Sequence, residues 1–274
     1  MCHQILVEAK PLTLKLSSHY ETGLSCGIQY DYANLIMVSK SLPAEEIREL
    51  TIRWSASAGE VEALLLRPRD ARWLLVLAHG AGAGMHHPFM ESLARELAGY
   101  HIATLRYQFP YMQQRRGRPD SPAVLTATVH AALARAAKAA SDLPLLAGGK
   151  SLGGRMTSLA LSESSASQAQ LDTPVRGLVF FGFPLHQPGR PDTHRADHLE
   201  RVTIPMLFFQ GTRDTLADLT LMRPVCAKLA PRAALHIVDG ADHSFHVLKR
   251  SGKTDAEVLG ELARTLSSWA DSLI

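Results

Sequence analysis

The sequence predicts an α/β domain in which a mostly parallel central sheet is flanked by helices. Short apolar runs alternate along the chain with longer segments whose apolar residues recur at helical spacing, and connections of that length suit parallel strands. One apolar run also ends in a Gly-x-Ser-x-Gly frame, from Gly149 to Gly153, directly before a helical segment. With 274 residues, 46% of them apolar, the chain can bury one substantial core.

The elements are predicted in order from these patterns. After a first strand at residues 50–54, the strands at 60–67 and 73–78 are expected to form the opening antiparallel pair. Ser121 is expected to be the N-cap of a helix that has a proline in its first turn. The other predicted elements are helices at 88–99, after Ser151 and at 255–273, and strands at 102–107, before Gly149, at 175–181, at 203–211 and at 234–238.

The Gly-x-Ser-x-Gly frame is typical of a nucleophile elbow, a sharp strand-to-helix turn that exposes a strained serine. Side chains two residues before and after Ser151 would collide across the turn, and Gly149 and Gly153 remove both collisions. A phosphate-binding loop is the alternative, because Gly149, Lys150 and Ser151 match its end. That motif requires a further glycine where this sequence has Pro144, so we exclude it.

A carboxylate and a histidine follow Ser151 in the chain order that this turn requires. Asp214 comes just after a buried strand, and His243 lies on the loop after the last strand. Asp218 is a rival for the acid, but we expect it at or inside the next helix, and Asp242 adjoins His243 too closely to face its ring. We therefore predict Ser151 as nucleophile, His243 as base and Asp214 as the acid that orients the base.

The chemistry of acyl transfer explains these residue types. A serine hydroxyl is a weak nucleophile, so a neutral imidazole must accept its proton during attack and return it to the leaving group. The tetrahedral intermediate also needs donors for its oxyanion. We predict the backbone N–H groups of Leu152 and of Ala81, on the glycine-rich loop after the strand at 73–78, with Gly82 next in line. His79 is expected to tie this loop down through a side-chain hydrogen bond.

Five sequence blocks, taken together and in order, indicate a known family. They lie at residues 79–82, 105–112, 148–155, 183–186 and 211–214. With them the chain, from about residue 48 onward, resembles the alpha/beta-hydrolases, and more narrowly a dienelactone-hydrolase-related branch that includes testis-expressed proteins and bacterial hydrolases of unassigned substrate. The resemblance implies an alpha/beta-hydrolase fold and a triad of Ser151, Asp214 and His243, but no substrate. Some relatives in this branch serve as subunits of larger complexes.

The walls of the substrate pocket should come from segments that follow strands on the catalytic side of the sheet. We select Gly82, Tyr111, Met112 and His186 as pocket candidates, and a place in the core is an equal alternative for Tyr111 and Met112. About twenty residues join the strand at 175–181 to the next strand. We therefore expect a minimal lid or none.

Composition and charge limit the partners of the chain. A formal net charge of +3, from 29 basic and 26 acidic residues, gives no general case for nucleic-acid binding. Cys2, Cys26 and Cys226 are odd in number and far apart, which favours a reducing cytosol over a disulfide framework. No apolar run is long enough to span a membrane. We expect a cytoplasmic protein that acts on a small-molecule acyl substrate, and the sequence does not indicate its oligomeric state.

No cofactor or metal is predicted. The adjacent histidines at residues 86–87 and the pair formed by His243 and His246 invite a metal interpretation, but neither has a third ligand at the spacing of known sites. His243 is moreover the proposed base.

The sequence predicts two regions and leaves two candidate functions. Residues 1–45 are predicted as an N-terminal extension of uncertain structure and 46–274 as the alpha/beta-hydrolase domain, with initiation at Met37 as an alternative. The first function is a serine hydrolase that cleaves a carboxylic ester, thioester or related acyl bond through an acyl-enzyme. The second is a catalytically weak binding or scaffold subunit with the same fold. The complete set of triad residues favours the first.

Overall fold

The computed structural model describes residues 45–55, 59–163 and 174–274, which contain an eight-stranded sheet. The strands are β1 (Glu45–Ser55), β2 (Gly59–Pro68), β3 (Trp73–Ala78), β4 (Ile102–Tyr107), β5 (Leu145–Lys150), β6 (Val175–Phe181), β7 (Met206–Gly211) and β8 (Ala233–Val238). Their order across the sheet is β1-β2-β4-β3-β5-β6-β7-β8. The strands from β3 to β8 run parallel, whereas β2 is antiparallel to both of its neighbours.

Helices cover both faces of this sheet. They are α1 (Pro88–Ala98), α2 (Pro110–Gln113), α3 (Pro122–Ala139), α4 (Leu152–Ser162), α5 (Leu219–Lys228) and α6 (Asp255–Asp271), with 3₁₀ segments at His194–Arg201 and Lys249–Ser251. Alternate residues of the central strands face opposite layers: Leu74 and Val76 of β3 pack with the core that includes α3 and α4, and Leu75 and Leu77 pack with α1 and α6. All 6 residues of β3 are buried, as expected for a strand covered on both faces.

The pairing of the opening strands differs from the prediction. We expected β2 and β3 to form an antiparallel pair, and this is wrong: β2 pairs with β1 and β4, and β3 pairs with β4 and β5. Burial gives the physical reason. β3 is apolar throughout, which suits the centre of the sheet, whereas β2 alternates exposed and buried residues along its first half and suits a position nearer the edge. Strands that are close in sequence are therefore separated in the sheet.

Most other elements lie where the sequence predicts them. The helices expected after Ser121 and Ser151 are α3 and α4, and the closing helix is α6. Ser121 occupies the N-cap position of α3, but its side chain makes no capping hydrogen bond. The short α2, with only 4 residues, has no periodicity from which to predict it. Between β6 and β7 the chain forms an 8-residue 3₁₀ segment and no inserted lid, as expected.

None of the helices in the described part of the chain has the length and apolar character needed to span a bilayer. The predicted N-terminal extension lies outside the described residues except for Glu45, which begins β1. Met37, Cys2 and Cys26 also lie outside them.

Candidate active site

Ser151 lies at the turn between β5 and α4 in a backbone conformation that residues with a Cβ rarely adopt. Its φ is 50° and its ψ is −117°. A Cβ at Gly149 would lie 2.5 Å from the Ala78 carbonyl oxygen, and one at Gly153 would lie 2.5 Å from the His79 carbonyl oxygen. The two glycines therefore let the turn approach the end of β3. A Cβ at Gly149 would also lie 2.8 Å from the Gly153 carbonyl carbon, so a collision across the turn is prevented as well, as predicted.

The side chains of Ser151, His243 and Asp214, each from a different loop, form a continuous chain of hydrogen bonds. His243 Nε2 lies 2.8 Å from Ser151 Oγ, and His243 Nδ1 lies 2.7 Å from Asp214 Oδ2. Because an ionised carboxylate only accepts hydrogen bonds, we assign the ring proton to Nδ1, which leaves Nε2 to accept from the serine hydroxyl. This is the tautomer that general-base chemistry at a serine requires.

Asp214 follows β7, and only 1% of its side chain is exposed. Besides the His243 ring, its carboxylate accepts hydrogen bonds from the Gln210 side-chain amide and, at 2.8 Å, from the Leu216 N–H. These donors compensate for the burial of the charge and hold the carboxylate against the ring. Asp218, the rival acid, is instead the N-cap of α5, as its expected position at a helix implies.

The loop that carries His243 is braced by two further carboxylates. Asp242 accepts hydrogen bonds from the backbone N–H groups of Ser244 at 2.8 Å and His246 at 3.0 Å. Asp255, at the start of α6, contacts the His246 ring at 2.8 Å. This hydrogen bond raises the pKa of His246 and lowers the pKa of Asp255. Asp242 thus holds the turn after His243 through backbone hydrogen bonds, and Asp255 holds the same loop through the His246 ring.

The two predicted oxyanion donors are the backbone N–H groups of Leu152, which follows Ser151 in the chain, and of Ala81, which lines a cavity beside Ser151. Leu152 is the first residue of α4, so its N–H has no carbonyl partner within the helix. Ala81 lies on the loop after β3 and lines a cavity to which Ser151 also contributes.

His79 fixes the loop after β3, as predicted. Its Nδ1 donates to the Gly80 carbonyl at 2.8 Å, and its Nε2 accepts from the Phe109 N–H at 3.0 Å. Burial lowers the pKa of His79 to about 4, so the ring stays neutral and keeps both hydrogen bonds at neutral pH.

A cavity of about 420 Å³ opens beside Ser151 and His243, a volume in the range of small-molecule sites. Phe89 and Met90 of α1 form an apolar part of its wall. Lys150, directly before Ser151, also lines the cavity. The cavity thus has apolar surface close to the serine and a single lysine beside it.

Of the four pocket candidates, only Gly82 lines this cavity. Tyr111 is fully buried, and Met112 packs against the same core, because the unpredicted α2 carries both side chains into it. The alternative of a core position is therefore the one that the structure supports. His186 is also buried, and its Nε2 accepts from the Asp218 N–H at 2.9 Å, so it joins two loops away from the cavity.

The sequence analysis did not predict that Lys150, Gln210 and Phe89 belong to the site. Lys150 and Gln210 carried a signal, since each is a polar residue at the end of an otherwise apolar strand where burial is expected. Phe89 carried none, because its helical spacing predicted only a place in α1.

Across residues 45–55, 59–163 and 174–274, no three or more histidine, cysteine, aspartate or glutamate side chains are grouped to hold a metal ion. His87 caps α1 by accepting from the Phe89 N–H at 3.2 Å, and His246 is paired with Asp255.

Solved structures with the same fold provide a comparison. The chain is similar to a dienelactone hydrolase from Anabaena variabilis, with a TM-score of 0.61 and 21% identity over 82% of this chain and 96% of that one. It is similar to an alpha-beta serine hydrolase homologue from Coxiella burnetii, with a TM-score of 0.62 and 18% identity over 81% and 96%. It is also similar to an a/b serine hydrolase without lid from Xanthomonas campestris, with a TM-score of 0.60 and 21% identity over 82% and 95%.

A family model described as an alpha/beta hydrolase domain matches residues 71–271. This range holds the strand before the Ala81 loop, the Ser151 turn, and the loops of Asp214 and His243. The similarity that the five sequence blocks indicated is thereby confirmed at the level of the family. The chain belongs to the alpha/beta hydrolase domain family.

Proposed function

We propose that the protein is a serine hydrolase that cleaves a carboxylic ester, thioester or related acyl bond through an acyl-enzyme. The observation that carries this proposal is the continuous hydrogen-bond chain from Ser151 through His243 to Asp214 beside a cavity. The strained φ of 50° at Ser151 supports it further, because the surrounding fold maintains a conformation that costs free energy.

In the proposed reaction, His243 Nε2 accepts the hydroxyl proton as Ser151 Oγ attacks the acyl carbon. Asp214 stabilises the imidazolium that forms. The N–H groups of Leu152 and Ala81 bind the oxyanion. The imidazolium then protonates the leaving group, and a water molecule, activated by the same ring, hydrolyses the ester bond to Ser151.

The cavity favours a small substrate with an apolar acyl part. Phe89 and Met90 offer an apolar surface, and a cavity of about 420 Å³ suits a small molecule rather than a polymer. The described chain has no lid insertion between β6 and β7, so we expect turnover of dissolved esters without interfacial activation. We place the activity in the cytoplasm. The three cysteines of the sequence are odd in number and far apart, which does not suit a disulfide framework, and the described one, Cys226, is a free buried thiol.

A fluorophosphonate probe tests this proposal, since it labels activated serines. We expect stoichiometric labelling of the purified protein at Ser151, located by peptide mass mapping, together with turnover of an ester series graded by acyl length. Turnover should persist in a chelator. A protein that neither reacts with the probe nor hydrolyses any ester would be the catalytically weak binding or scaffold subunit instead. Rates abolished by the chelator would contradict the serine mechanism.

A further inference from the structure

Lys150 lies between the proposed nucleophile and the loop of the proposed base. It is the last residue of β5 and directly precedes Ser151. Its Nζ donates a hydrogen bond to the His243 carbonyl oxygen at 2.5 Å. The same Nζ lies 5.9 Å from the centroid of the Phe89 ring and 5.7 Å from that of the Phe245 ring. The ammonium therefore binds one backbone carbonyl and lies within 6 Å of two aromatic rings.

This is an unusual position for a lysine. Among the described residues no carboxylate forms an ion pair with Lys150, whereas a buried ammonium is ordinarily paired. Asp214 and Asp242 favour the charged form from a distance, but burial outweighs them and lowers the pKa of Lys150 to about 8. The His243 ring also faces it, since a Cβ placed at Gly182 would lie 3.3 Å from Lys150 Nζ and 3.4 Å from both Cε1 and Nδ1 of His243.

The contact of Lys150 is with the backbone of His243, not with its ring. The ring is fixed at both nitrogens, by Ser151 and Asp214, but its position also depends on where the loop places the Cα atom. A hydrogen bond to the His243 carbonyl fixes that point. Because the donor is the neighbour of Ser151 in the chain, it ties the base loop directly to the nucleophile turn.

We propose that Lys150 is a positioning residue that sets the distance between His243 and Ser151 by holding the His243 backbone carbonyl. This inference rests on the proposed function of the same site. A charged donor makes the stronger hydrogen bond, so the hold is firmest while the ammonium is protonated. Loss of that proton above about pH 8 weakens the hold and should lower turnover on the alkaline side.

Two variants separate this role from a merely structural one. Lys150→Met keeps an unbranched side chain of similar length and removes the donor, and Lys150→Arg keeps a donor that stays charged throughout the accessible pH range. Lys253→Met is the matched control, because Lys253 Nζ binds Glu261 at 2.9 Å on the surface. The readouts are kcat, KM and the second-order rate of fluorophosphonate labelling from pH 6 to 10, with thermal unfolding to confirm folding.

We expect Lys150→Met to lower kcat by about 10- to 100-fold, the effect of a small misplacement of a reacting group, while KM changes by less than about threefold. The wild type should lose rate above about pH 8. Lys150→Arg should recover part of the kcat and show no such loss. Lys253→Met should match the wild type.

A wild-type kcat in Lys150→Met would overturn the inference, as would an alkaline loss of equal size in wild type and Lys150→Arg. If Lys150→Met does not fold, the comparison of the alkaline rate loss in wild type and Lys150→Arg still tests the role of Lys150. Failure of the proposed function looks different, because the wild type itself would not be labelled at Ser151. A labelled wild type with an unaffected Lys150→Met refutes only the role of Lys150.

Discussion

Helix α4 and the turn before it carry two serines whose hydroxyls contact histidine rings. Ser151 Oγ, at the turn that starts the helix, lies 2.8 Å from His243 Nε2. Ser158 Oγ, inside the helix, lies 2.7 Å from His198 Nε2 in the 3₁₀ segment between β6 and β7. Judged by the Ser-His distance alone, the two pairs are equivalent.

Their surroundings differ. Ser158 is fully buried in a regular helix, and its hydroxyl also has the Arg155 carbonyl as an acceptor at 2.8 Å. No carboxylate in the described part of the chain accepts a hydrogen bond from the His198 ring. Burial, with a smaller contribution from Arg155, lowers the pKa of His198 to about 4. The pair therefore holds the 3₁₀ segment against α4.

The comparison shows that a serine hydrogen-bonded to a histidine does not by itself make a nucleophile. Ser151 differs from Ser158 in three respects: a positive φ that exposes the hydroxyl, a cavity beside it, and Asp214 on the far nitrogen of its histidine. Substitutions at the two serines, at the acid and its support, and at His198 test whether the two pairs differ in function.

The largest effect is expected from the two serines themselves. Ser151→Ala should lower turnover by about a thousandfold or more and abolish probe labelling, because it removes the attacking atom. Ser158→Ala, the matched control, should keep wild-type turnover and lower the free energy of unfolding by about 1 kcal/mol for the lost hydrogen bond. Ester kinetics and urea denaturation of both variants measure this. Equal turnover in the two variants would remove the distinction between the pairs.

The next effect concerns the acid. Asp214→Asn should lower kcat by about 10³- to 10⁴-fold, because an amide N–H facing the ring favours the wrong tautomer. Asp218→Asn should have little effect, since asparagine is an equally good N-cap for α5. Steady-state kinetics on the best ester of the series compares them. If Asp218→Asn were the more damaging change, our assignment of the acid would be reversed.

A smaller effect is expected at Gln210, whose amide contacts Asp214 and which has no counterpart at His198. Gln210→Leu should lower kcat by about tenfold with an unchanged KM, because the Leu216 N–H still holds one carboxylate oxygen. Gln114→Leu, at an exposed position, is the control. A kcat that stays at the wild-type value would show that Leu216 alone orients Asp214.

The smallest effect on turnover, and a distinct effect on stability, is expected at His198. The folded protein keeps this ring neutral down to about pH 4, whereas an ordinary histidine in the unfolded chain is protonated below about 6.5. The unfolded state therefore binds more protons in this window, and the free energy of unfolding falls as the pH is lowered through it.

His198→Gln keeps a donor for Ser158 and should reduce the loss of stability between pH 7 and pH 5 by no more than about 2 kcal/mol, without changing turnover at pH 7. Urea denaturation at pH 7 and pH 5 measures the difference, and buried His79 accounts for part of the loss that remains. An unaltered pH dependence would mean that His198 is not held neutral by the fold.

Much of this protein was determined by local sequence. Periodicity and apolar runs predicted α1, β4, α4 and the parallel sheet, because burial on one or both faces leaves a repeating pattern in the chain. The Ser151 turn was equally readable, since only glycine tolerates contacts of 2.5 Å at positions 149 and 153. The chain order of Ser151, Asp214 and His243 sufficed to predict which side chains meet.

Other features were decided only by the tertiary structure. The partners of β2 depend on which strand can be covered on both faces, a competition across the whole sheet that a local pattern does not record. Tyr111 lies outside the predicted pocket because α2, which contains it, directs its side chain into the core. His186 lies outside it because its ring accepts a hydrogen bond from Asp218, which is distant in the sequence. Lys150 meets the His243 carbonyl across more than ninety residues of chain. Only the fold brings those atoms together, because a backbone carbonyl leaves no signature in an amino-acid sequence.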